Sequence, residues 1–298
     1  MKTVKIKAYA KVNVTLEIVG QTAEYHVLDS LVASVDLFDS IVLKARKDKL
    51  SSITMKGLGS ESIPPEDNNA LKAAEAFSAA FGVNGADITV YKNIPLGAGL
   101  GGSSADASGV LNGMAKLYGV DDRKKIAELA DTLGSDTRYM LDGGFARMQG
   151  RGGEVTPIES GQTLHFLAIC PKDGCSSGAC YREYDRLNGE KRGESFTQNA
   201  ISALKENDMQ GLGRYLTNDL FLPATTLCES VKKAYDEALS FSPLGAVMTG
   251  SGSCVLAMFE TKELCEWAKS RYRGKFRTFV LKTVSQVKEW KNPFVLEE

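Results

Sequence analysis

A glycine-rich segment in the first half of the chain limits the possible folds more than any other feature. Four of its six central positions are glycine and two serines follow directly, at Gly97, Gly99, Gly101, Gly102, Ser103 and Ser104. So many glycines cost backbone entropy unless the chain must turn tightly or approach a ligand closely. The segment therefore predicts a loop that is shaped for a close contact.

The residues on either side of this loop indicate what it contacts. Ile88 and Val90 alternate with polar residues before it, which is typical of a strand. Apolar residues recur at three- and four-residue steps from 107 to 118, which is typical of a helix. A glycine loop between a strand and a helix start directs free backbone N–H groups at an anion, and the two serines can cap the helix or bind the ligand. The sequence predicts a nucleotide phosphate site here.

Three common nucleotide-binding motifs share such a loop, but none of them fits. A dinucleotide fold needs a second strand that ends in an acid about 20 residues later, whereas 121–133 is again helix-like. A P-loop needs Lys and then Ser or Thr after its last glycine, whereas Ser103 follows Gly102. Protein kinases carry His-Arg-Asp and Asp-Phe-Gly motifs, which this sequence lacks. A purely structural glycine turn remains the alternative.

The composition restricts the class of partner. The 298 residues suffice for one large domain or two lobes. Lys and Arg number 36 and Asp and Glu 37, so the net charge of −1 gives no basic excess for nucleic acid. No apolar run predicts a signal peptide or a membrane span. The six cysteines show no zinc spacing, so we expect reduced thiols in a cytoplasmic protein.

Hydrophobic periodicity predicts both strands and helices along the whole chain. We predict strands over 4–16, 31–43 and 164–169, helices over 70–81, 126–133, 198–216 and 228–239, and two strands with a tight loop within 245–259. The stretch 60–69 is expected to be a loop, and the charged stretch 190–194 is expected to be exposed.

Three short motifs together resemble those of the GHMP kinases, a family that phosphorylates small-molecule alcohols. They are the glycine loop at 95–104, Ala-Lys-Val-Asn at 10–13 and Thr-Gly-Ser-Gly-Ser-Cys at 249–254. Their order and spacing agree with the family over nearly the whole chain. The resemblance implies a two-lobed α+β fold, with a ribosomal S5 domain 2-like N-terminal lobe at 1–158 and an α/β C-terminal lobe at 159–298. It also implies ATP and Mg²⁺ as cofactors.

The resemblance assigns the glycine loop to the triphosphate of ATP. The residues concerned are Pro95, Gly97, Ala98, Gly99, Leu100, Gly101, Gly102, Ser103 and Ser104. The hydroxyl of Ser104 would also help to hold the metal. Asn69 and Lys92 match family residues that lie near the adenine, although Asn69 on its own reads as a helix N-cap.

The resemblance also identifies a catalytic pair. Asp136 would accept or orient the proton of the acceptor hydroxyl, and Lys11 beside it would stabilise developing negative charge. From the pattern alone, Lys11 is a solvated strand lysine and Asp136 a helix cap. Asn13 and the C-terminal motif residues Gly250, Ser251 and Gly252 would line the substrate site.

Three further residues match one branch of the family, which acts on a methylerythritol linked to cytidine diphosphate. Tyr25 would stack on the cytosine, His26 would hydrogen-bond its edge, and Tyr181 would close the sandwich from the other side. A structural histidine and a surface tyrosine are the alternatives. The long match over 133–158 belongs to the same branch. The function implied is transfer of phosphate to the 2-hydroxyl of the methylerythritol.

The sequence departs from this branch at three places: Ala23-Glu24 before Tyr25, Ser103 at a loop glycine, and 137–140 after Asp136. The last change brings Arg138, either a surface residue or a new contact to an anionic substrate. Two other functions remain open. One is a kinase of homoserine, mevalonate or a sugar, and the other is a non-catalytic nucleotide-binding homologue. In each case we expect a small-molecule substrate and no nucleic acid or membrane partner. We expect the protein to be a monomer or a homodimer.

Overall fold

The computed structural model describes residues 2–57, 64, 67–187, 193–284 and 295–297. These residues form runs of strands and runs of helices, which confirms the predicted α+β class. The strands are β1 Lys2–Asn13, β2 Thr15–Gln21, β3 His26–Ala45, β4 Ser52–Gly57, β5 Ala86–Lys92, β6 Phe145–Gly150, β7 Glu154–Ile158, β8 His165–Cys170, β9 Thr217–Asn218, β10 Gly245–Met248, β11 Val255–Phe259, β12 Arg277–Lys282 and β13 Val295–Glu297.

The helices follow the strands closely in sequence. They are α1 Asn69–Phe81, α2 Gly102–Tyr118, α3 Arg123–Leu133, α4 Thr137–Met140, α5 Ser177–Arg186, α6 Phe196–Glu206, α7 Met209–Arg214, α8 Phe221–Leu227, α9 Glu229–Leu239 and α10 Lys262–Arg271. None of the helices in the described ranges is long and apolar enough to cross a membrane.

The larger of two sheets is organised around β3. This strand pairs with β1, β2, β5 and β6, and the described part of the sheet contains nine strands. Side chains of β1 alternate as predicted at first, with Val4 and Ile6 buried and Lys5 exposed. From Ala10 onwards both faces of β1 are buried. The alternative of a solvated lysine at position 11 is therefore wrong, since Lys11 is only 4% exposed.

Helix α2 lies against this sheet at close range. A Cβ atom on Gly109 would lie 2.7 Å from Cδ1 of Ile41, and one on Gly113 would lie 2.5 Å from Cδ1 of Leu43. These two glycines therefore allow the helix to pack directly on β1 and β3. The close packing holds the start of α2, and the glycine loop before it, at a fixed position on the sheet.

The smaller sheet is antiparallel and has the order β10-β11-β8-β12. The start of α6, which follows β8 in the chain, is attached to the larger sheet. The carboxylate of Glu17, buried on β2, accepts hydrogen bonds from the backbone N–H groups of Phe196 (3.1 Å) and Thr197 (2.7 Å). A buried carboxylate at a helix start satisfies N–H groups that have no partner within the helix. This contact joins the two halves of the chain.

Most of the predicted elements are confirmed, but three had wrong bounds. The strand predicted over 4–16 is two strands, because the chain bends at Val14 between β1 and β2. The N-cap of α1 is Asn68, whose side chain accepts from the backbone N–H of Ala70, while Asn69 is already helical. The helix predicted over 198–216 is two helices, because Asn207 takes a left-handed conformation and Asp208 caps α7. Most of the predicted loop at 60–69 and of the charged stretch at 190–194 lies outside the described residues.

The cysteines also differ from the prediction of reduced thiols. Cys170 ends β8, and Cys254 lies across from it, directly before β11. The structure joins the two sulfurs in a disulfide, with Cα atoms 4.1 Å apart. No pattern in the sequence indicates this pair, because the two cysteines are 84 positions apart and only the sheet pairing brings them together. Cys175, Cys180, Cys228 and Cys265 are free.

Lys92 lies in a buried ionic cluster beneath the glycine loop. Its ammonium bonds the carboxylates of Asp39 and Asp106, and all three side chains are at most 5% exposed. Burial raises the pKa of Asp106 to about 7, opposed by Lys92 and reinforced by the charge of Asp39. Asp106 belongs to α2, so the cluster attaches the helix to β3 and β5.

We expect the substitution Asp106→Asn to change the pH dependence of stability. The pKa of Asp106 is 3.8 in an unfolded chain and about 7 in the fold. At pH values between these two, the folded wild type keeps the proton of the Asp106 carboxyl group, whereas the unfolded chain releases it. Its free energy of unfolding should therefore fall as pH rises through that window, by up to about 1.4 kcal/mol per pH unit relative to Asp106→Asn. Urea unfolding at pH 5, 6, 7 and 8 measures this difference.

The control is Asp142→Asn, which removes a carboxylate that is 67% exposed. This variant should follow the pH dependence of the wild type. Parallel curves for Asp106→Asn and the wild type would show that Asp106 does not retain its proton in the fold.

Candidate active site

The glycine loop forms part of a cleft of ≈ 1490 Å³. The loop, β1, α5 and the turn between β10 and β11 all contribute to the lining. Of the predicted site residues, the cleft is lined by Lys11, Asn13, Tyr25, His26, Pro95, Gly97, Ala98, Gly99, Leu100, Gly101, Gly102, Ser103, Ser104, Asp136, Tyr181, Gly250, Ser251 and Gly252. Only Asn69 and Lys92 are missing from this lining.

The carbonyl groups of the loop are bonded to the scaffold. Leu100 O accepts from Lys11 N at 3.0 Å, and Ala98 O accepts from Cys254 N at 3.3 Å. Within the described residues, no acceptor bonds the backbone N–H groups of 97–104. A run of free N–H groups at the start of a helix is a binding site for an anion such as phosphate. The loop therefore fits the triphosphate that the sequence predicts.

Two of the glycines are required by close approach. A Cβ atom on Gly99 would lie 2.0 Å from the carbonyl oxygen of Thr249, and the φ angle of Gly99 is +73°. A Cβ atom on Gly101 would lie 2.5 Å from Cε of Met140, and its φ angle is +70°. At Gly99 a side chain would meet backbone, so none fits without a shift of the chain, whereas at Gly101 the positive φ angle is the stronger constraint because Met140 can move. The alternative of a simple structural turn does not account for this combination of close packing and free N–H groups.

The two serines lie in the first turn of α2 and are not its caps, because Gly101 is the N-cap residue. Ser103 Oγ accepts from Asn69 Nδ2 at 3.0 Å, so Asn69 supports the loop from behind. Ser104 Oγ lines the cleft and has no hydrogen-bond partner among the described residues. Its oxygen is therefore available to a ligand.

Lys11 and Asp136 lie together at the side of the loop. The distance from Lys11 Nζ to Asp136 Oδ2 is 3.3 Å, and the two side chains are 5% and 26% exposed. Asp136 occupies the N-cap position of α4, but its side chain makes no capping hydrogen bond. The helix-cap alternative therefore does not explain this residue. The pair offers a carboxylate oxygen and an ammonium group to a ligand in the cleft.

Asn13 connects the Lys11–Asp136 pair to the C-terminal glycine motif. Its Oδ1 accepts from Lys11 Nζ at 2.6 Å and from Gly250 N at 3.1 Å. Its Nδ2 donates to Ser30 Oγ at 2.8 Å, and its backbone N donates to Thr249 Oγ1 at 2.9 Å. Asn13 lines the cleft as predicted, but most of its hydrogen-bonding capacity is used within the protein.

The C-terminal motif is held from two sides. Asn218 Nδ2 donates to the carbonyl of Gly250 at 2.8 Å. Ser251 Oγ lies 2.9 Å from Ser177 Oγ at the start of α5. The motif therefore links the glycine loop to the wall formed by α5.

The aromatic end of the cleft differs from the expected sandwich. The ring of Tyr181 stacks on the ring of His26, with centroids 4.9 Å apart and planes inclined by 21°. His26 Nε2 lies 2.7 Å from Asp185 Oδ1, so the carboxylate of Asp185 orients the imidazole. Tyr25 is 37% exposed at the rim of the cleft. Burial raises the pKa of Tyr181 to about 12, so its phenol is neutral near pH 7.

The replaced residues at 137–140 after Asp136 do not line the cleft. Arg138 Nη1 lies 3.3 Å from Asp131 Oδ2, so the surface alternative describes it. Tyr139 is 1% exposed and its hydroxyl donates to the carbonyl of Gly144 at 2.5 Å. Thr137 Oγ1 is buried and has no hydrogen-bond partner in the described part of the chain. None of these three lines the cleft.

Lys92 does not line the cleft as expected, because the two carboxylates of its buried cluster hold its ammonium group away from the cleft.

The sequence analysis did not predict a role for Asp185, Ser30 or Thr249 at the site. Asp185 lies one turn after Tyr181 on α5, and this i, i+4 spacing is the one signal that could have suggested it.

Groups of three or more His, Cys, Asp or Glu side chains that could hold a metal are absent from the described ranges. Mg²⁺ usually keeps several waters and binds one or two protein oxygens together with phosphate oxygens, so a protein cage is not required. The free hydroxyl of Ser104 and the carboxylate of Asp136 are oxygen donors of the kind that Mg²⁺ prefers. The residues present therefore fit this ion.

Two family profiles match the chain in order. The profile described as GHMP kinases N terminal domain matches residues 68–146, and the one described as GHMP kinases C terminal matches residues 200–276. A relative from Caldicellulosiruptor saccharolyticus, named 4-diphosphocytidyl-2-C-methyl-D-erythritol kinase, is 32% identical over 94% of this chain and 97% of its own. The chain belongs to the GHMP kinase family.

Solved structures of GHMP kinases agree with the fold. A 4-(cytidine 5'-diphospho)-2C-methyl-D-erythritol kinase superposes with a TM-score of 0.78, at 26% identity, over 94% of this chain and 100% of the other. A homoserine kinase from Cytophaga hutchinsonii has a TM-score of 0.72 at 18% identity, over 99% and 97% of the two chains, and shows the fold alone. This GHMP kinase is therefore a small-molecule phosphotransferase.

We expect the substitution Asn13→Ala to reduce both stability and turnover of this GHMP kinase. It removes the acceptor of Gly250 N and Lys11 Nζ, and an unsatisfied buried donor costs about 1–3 kcal/mol. The free energy of unfolding, measured in urea, should fall by that amount. Turnover should fall as well, since Lys11 and the C-terminal motif lose their common anchor.

Asn84→Ala is the matched control, because its side chain makes one 3.4 Å hydrogen bond to Arg46 O, outside the cleft. An unchanged free energy of unfolding in Asn13→Ala would exclude the anchoring role.

Proposed function

We propose that this GHMP kinase transfers the γ-phosphate of ATP to the 2-hydroxyl of 4-diphosphocytidyl-2-C-methyl-D-erythritol, in the synthesis of isoprenoid precursors. The names of the relatives support the substrate, and the relative from Clostridium tetani, 30% identical over 94% of this chain, has the same name. Homoserine and mevalonate, two of the alternatives, are supported only at the level of the fold.

One observation carries the proposal. A single cleft contains free loop N–H groups, the Lys11–Asp136 pair and an aromatic wall made of His26 and Tyr181. In this one cleft the loop N–H groups could bind the phosphate donor, the Lys11–Asp136 pair could bind the acceptor hydroxyl, and the aromatic wall could bind a cytosine base. An acceptor alcohol that carries no base would make no stacking contact with the aromatic wall. The wall therefore favours the cytidine-linked substrate over such alcohols.

The described residues suggest how the reaction is catalysed. Phosphoryl transfer depends mainly on positioning and on stabilisation of charge. The backbone N–H groups of 97–104 would hold the triphosphate, and Asp136 would accept or orient the proton of the acceptor hydroxyl. Lys11 would stabilise negative charge that develops beside it. Asn13 would keep Lys11 directed at Asp136.

Mg²⁺ would be held by Ser104 Oγ and would neutralise charge on the phosphate groups. Asn69 would act on the nucleotide through Ser103, whereas the position of Lys92 supports a structural role.

The division into lobes at 1–158 and 159–298 also remains a proposal. The change from the larger sheet to the smaller one between β7 and β8 supports it. We further propose a cytoplasmic protein that is a monomer or a homodimer.

Release of ADP from Mg-ATP tests the function directly. We expect turnover with 4-diphosphocytidyl-2-C-methyl-D-erythritol and none with homoserine, mevalonate or galactose. In Asp136→Asn, turnover should be lost while ATP still binds, because the substitution removes the proton acceptor and leaves the loop intact. Calorimetric titration with ATP measures the second part.

Asp131→Asn is the control, since Asp131 also lines the cleft but pairs with the surface residue Arg138. It should keep the activity of the wild type. Turnover with another alcohol of the panel would overturn the proposed substrate, and full activity of Asp136→Asn would overturn the role of Asp136.

Tyr25→Ala tests whether a base is recognised at the rim of the cleft. Stacking of a base on an aromatic ring is worth about 1–3 kcal/mol, so we expect the KM for the cytidine substrate to rise about tenfold or more. The KM for ATP should change little. Tyr91→Ala, at a tyrosine that is 43% exposed and outside the cleft, is the control. Equal rises in both KM values would contradict a specific contact with cytosine.

A further inference from the structure

Helix α5 forms one wall of the cleft, and its two ends contact different parts of the site. At its start, Ser177 Oγ lies 2.9 Å from Ser251 Oγ of the C-terminal motif. Near its end, Asp185 Oδ1 lies 2.7 Å from His26 Nε2. At 1.5 Å per residue, these two contacts are separated by about 12 Å along the helix. The wall therefore extends from the region of the C-terminal motif to the aromatic end.

Arg182 is the charged residue of this wall that has no counter-ion. Asp185, three residues later on the same helix, is bonded to His26. Glu183 is bonded to Arg186 at 2.7 Å. Across the described ranges, no acid or other hydrogen-bond acceptor pairs with the guanidinium of Arg182, which lines the cleft.

The side chain of Arg182 extends towards the start of α5, as long side chains on helices commonly do. Its Nη1 lies 3.4 Å from the position that a Cβ atom on Gly178 would take. Gly178 itself lines the cleft. The guanidinium therefore lies over the first turn of the helix, between the contact with Ser251 and the contact with His26.

Other charged groups of the cleft are either paired or lie elsewhere. Lys11 pairs with Asp136. Arg151 also lacks a described counter-ion, but it lies in the turn after β6. Its neighbour Gly152 packs on the carbonyl of Ser135, which places this turn beside Asp136 rather than on α5. Arg182 is thus the unpaired cation on the α5 wall among the described residues.

We propose that Arg182 binds the diphosphate that links the cytidine and the acceptor alcohol of the substrate. This inference rests on the proposed function. With the base at the aromatic end and the acceptor hydroxyl near Asp136, the diphosphate lies between them along α5. A guanidinium offers paired N–H donors that match two phosphate oxygens. Arg182 would then select substrates with a nucleoside diphosphate group over small alcohols that carry no phosphate.

Calorimetric titration with cytidine and with CDP, without turnover, tests this role. The wild type should bind CDP more tightly than cytidine. In Arg182→Ala, the affinity for CDP should fall about tenfold, as expected for loss of a charge-assisted hydrogen bond at a partly exposed site. The affinity for cytidine should stay within twofold of the wild type, and Arg182→Lys should recover part of the affinity for CDP.

Arg186→Ala is the matched control, because Arg186 lies on the same helix but pairs with Glu183 and does not line the cleft. It should leave both affinities unchanged. An unchanged ratio of CDP to cytidine affinity in Arg182→Ala would overturn this inference alone. A wild type that binds neither cytidine nor CDP would overturn the proposed function, and this inference with it.

Discussion

The geometry of the site depends on the hydrogen bonds around Asn13. This one side chain holds Lys11 and Gly250, and its backbone N–H holds Thr249. Thr249 Oγ1 in turn donates to Gly99 O at 3.2 Å, and Lys11 N donates to Leu100 O. Three segments that lie far apart in the sequence are thereby fixed relative to one another, within a buried region where an unmade hydrogen bond is costly.

This network also explains why the N–H groups of the glycine loop are available. The carbonyls of Ala98, Gly99 and Leu100 are bonded to neighbouring segments, so the loop cannot turn its carbonyl oxygens towards the cleft. The buried Lys92 cluster secures the start of α2 from below. The availability of these N–H groups is therefore a property of the loop's surroundings as much as of its glycines.

The two lysines of the site region serve different purposes because of where their carboxylates lie. Lys92 is enclosed by two buried acids and stabilises the contact between α2 and the sheet. Lys11 meets Asp136, which is partly exposed, so this pair remains accessible from the cleft. Departures from the branch pattern after Asp136 do not disturb the pair, because Arg138 lies on the surface and the hydroxyl of Tyr139 is bonded to Gly144.

Local sequence determined much of this protein. Alternation and helical spacing predicted the first strands of the larger sheet and the helices α1, α2, α3, α6 and α9, since these patterns follow from burial of one face. Short or partly exposed elements such as β6, β7, α5 and α10 were not predicted. The glycine spacing predicted an anion site, and the family resemblance located Lys11 and Asp136. The break at Asn207 was missed, because the apolar spacing continues across it and a left-handed asparagine has no strong signal.

Only the tertiary structure decided which side chains are paired. The placement of Lys92 beneath the loop, the disulfide between Cys170 and Cys254, the stacking of Tyr181 on His26 and the orientation of His26 by Asp185 all join residues from separate elements. Among the residues that the structure describes, Arg182 has no counter-ion because its neighbouring acids are bonded elsewhere. Such pairings depend on distances between segments, and no pattern within a single segment contains that information.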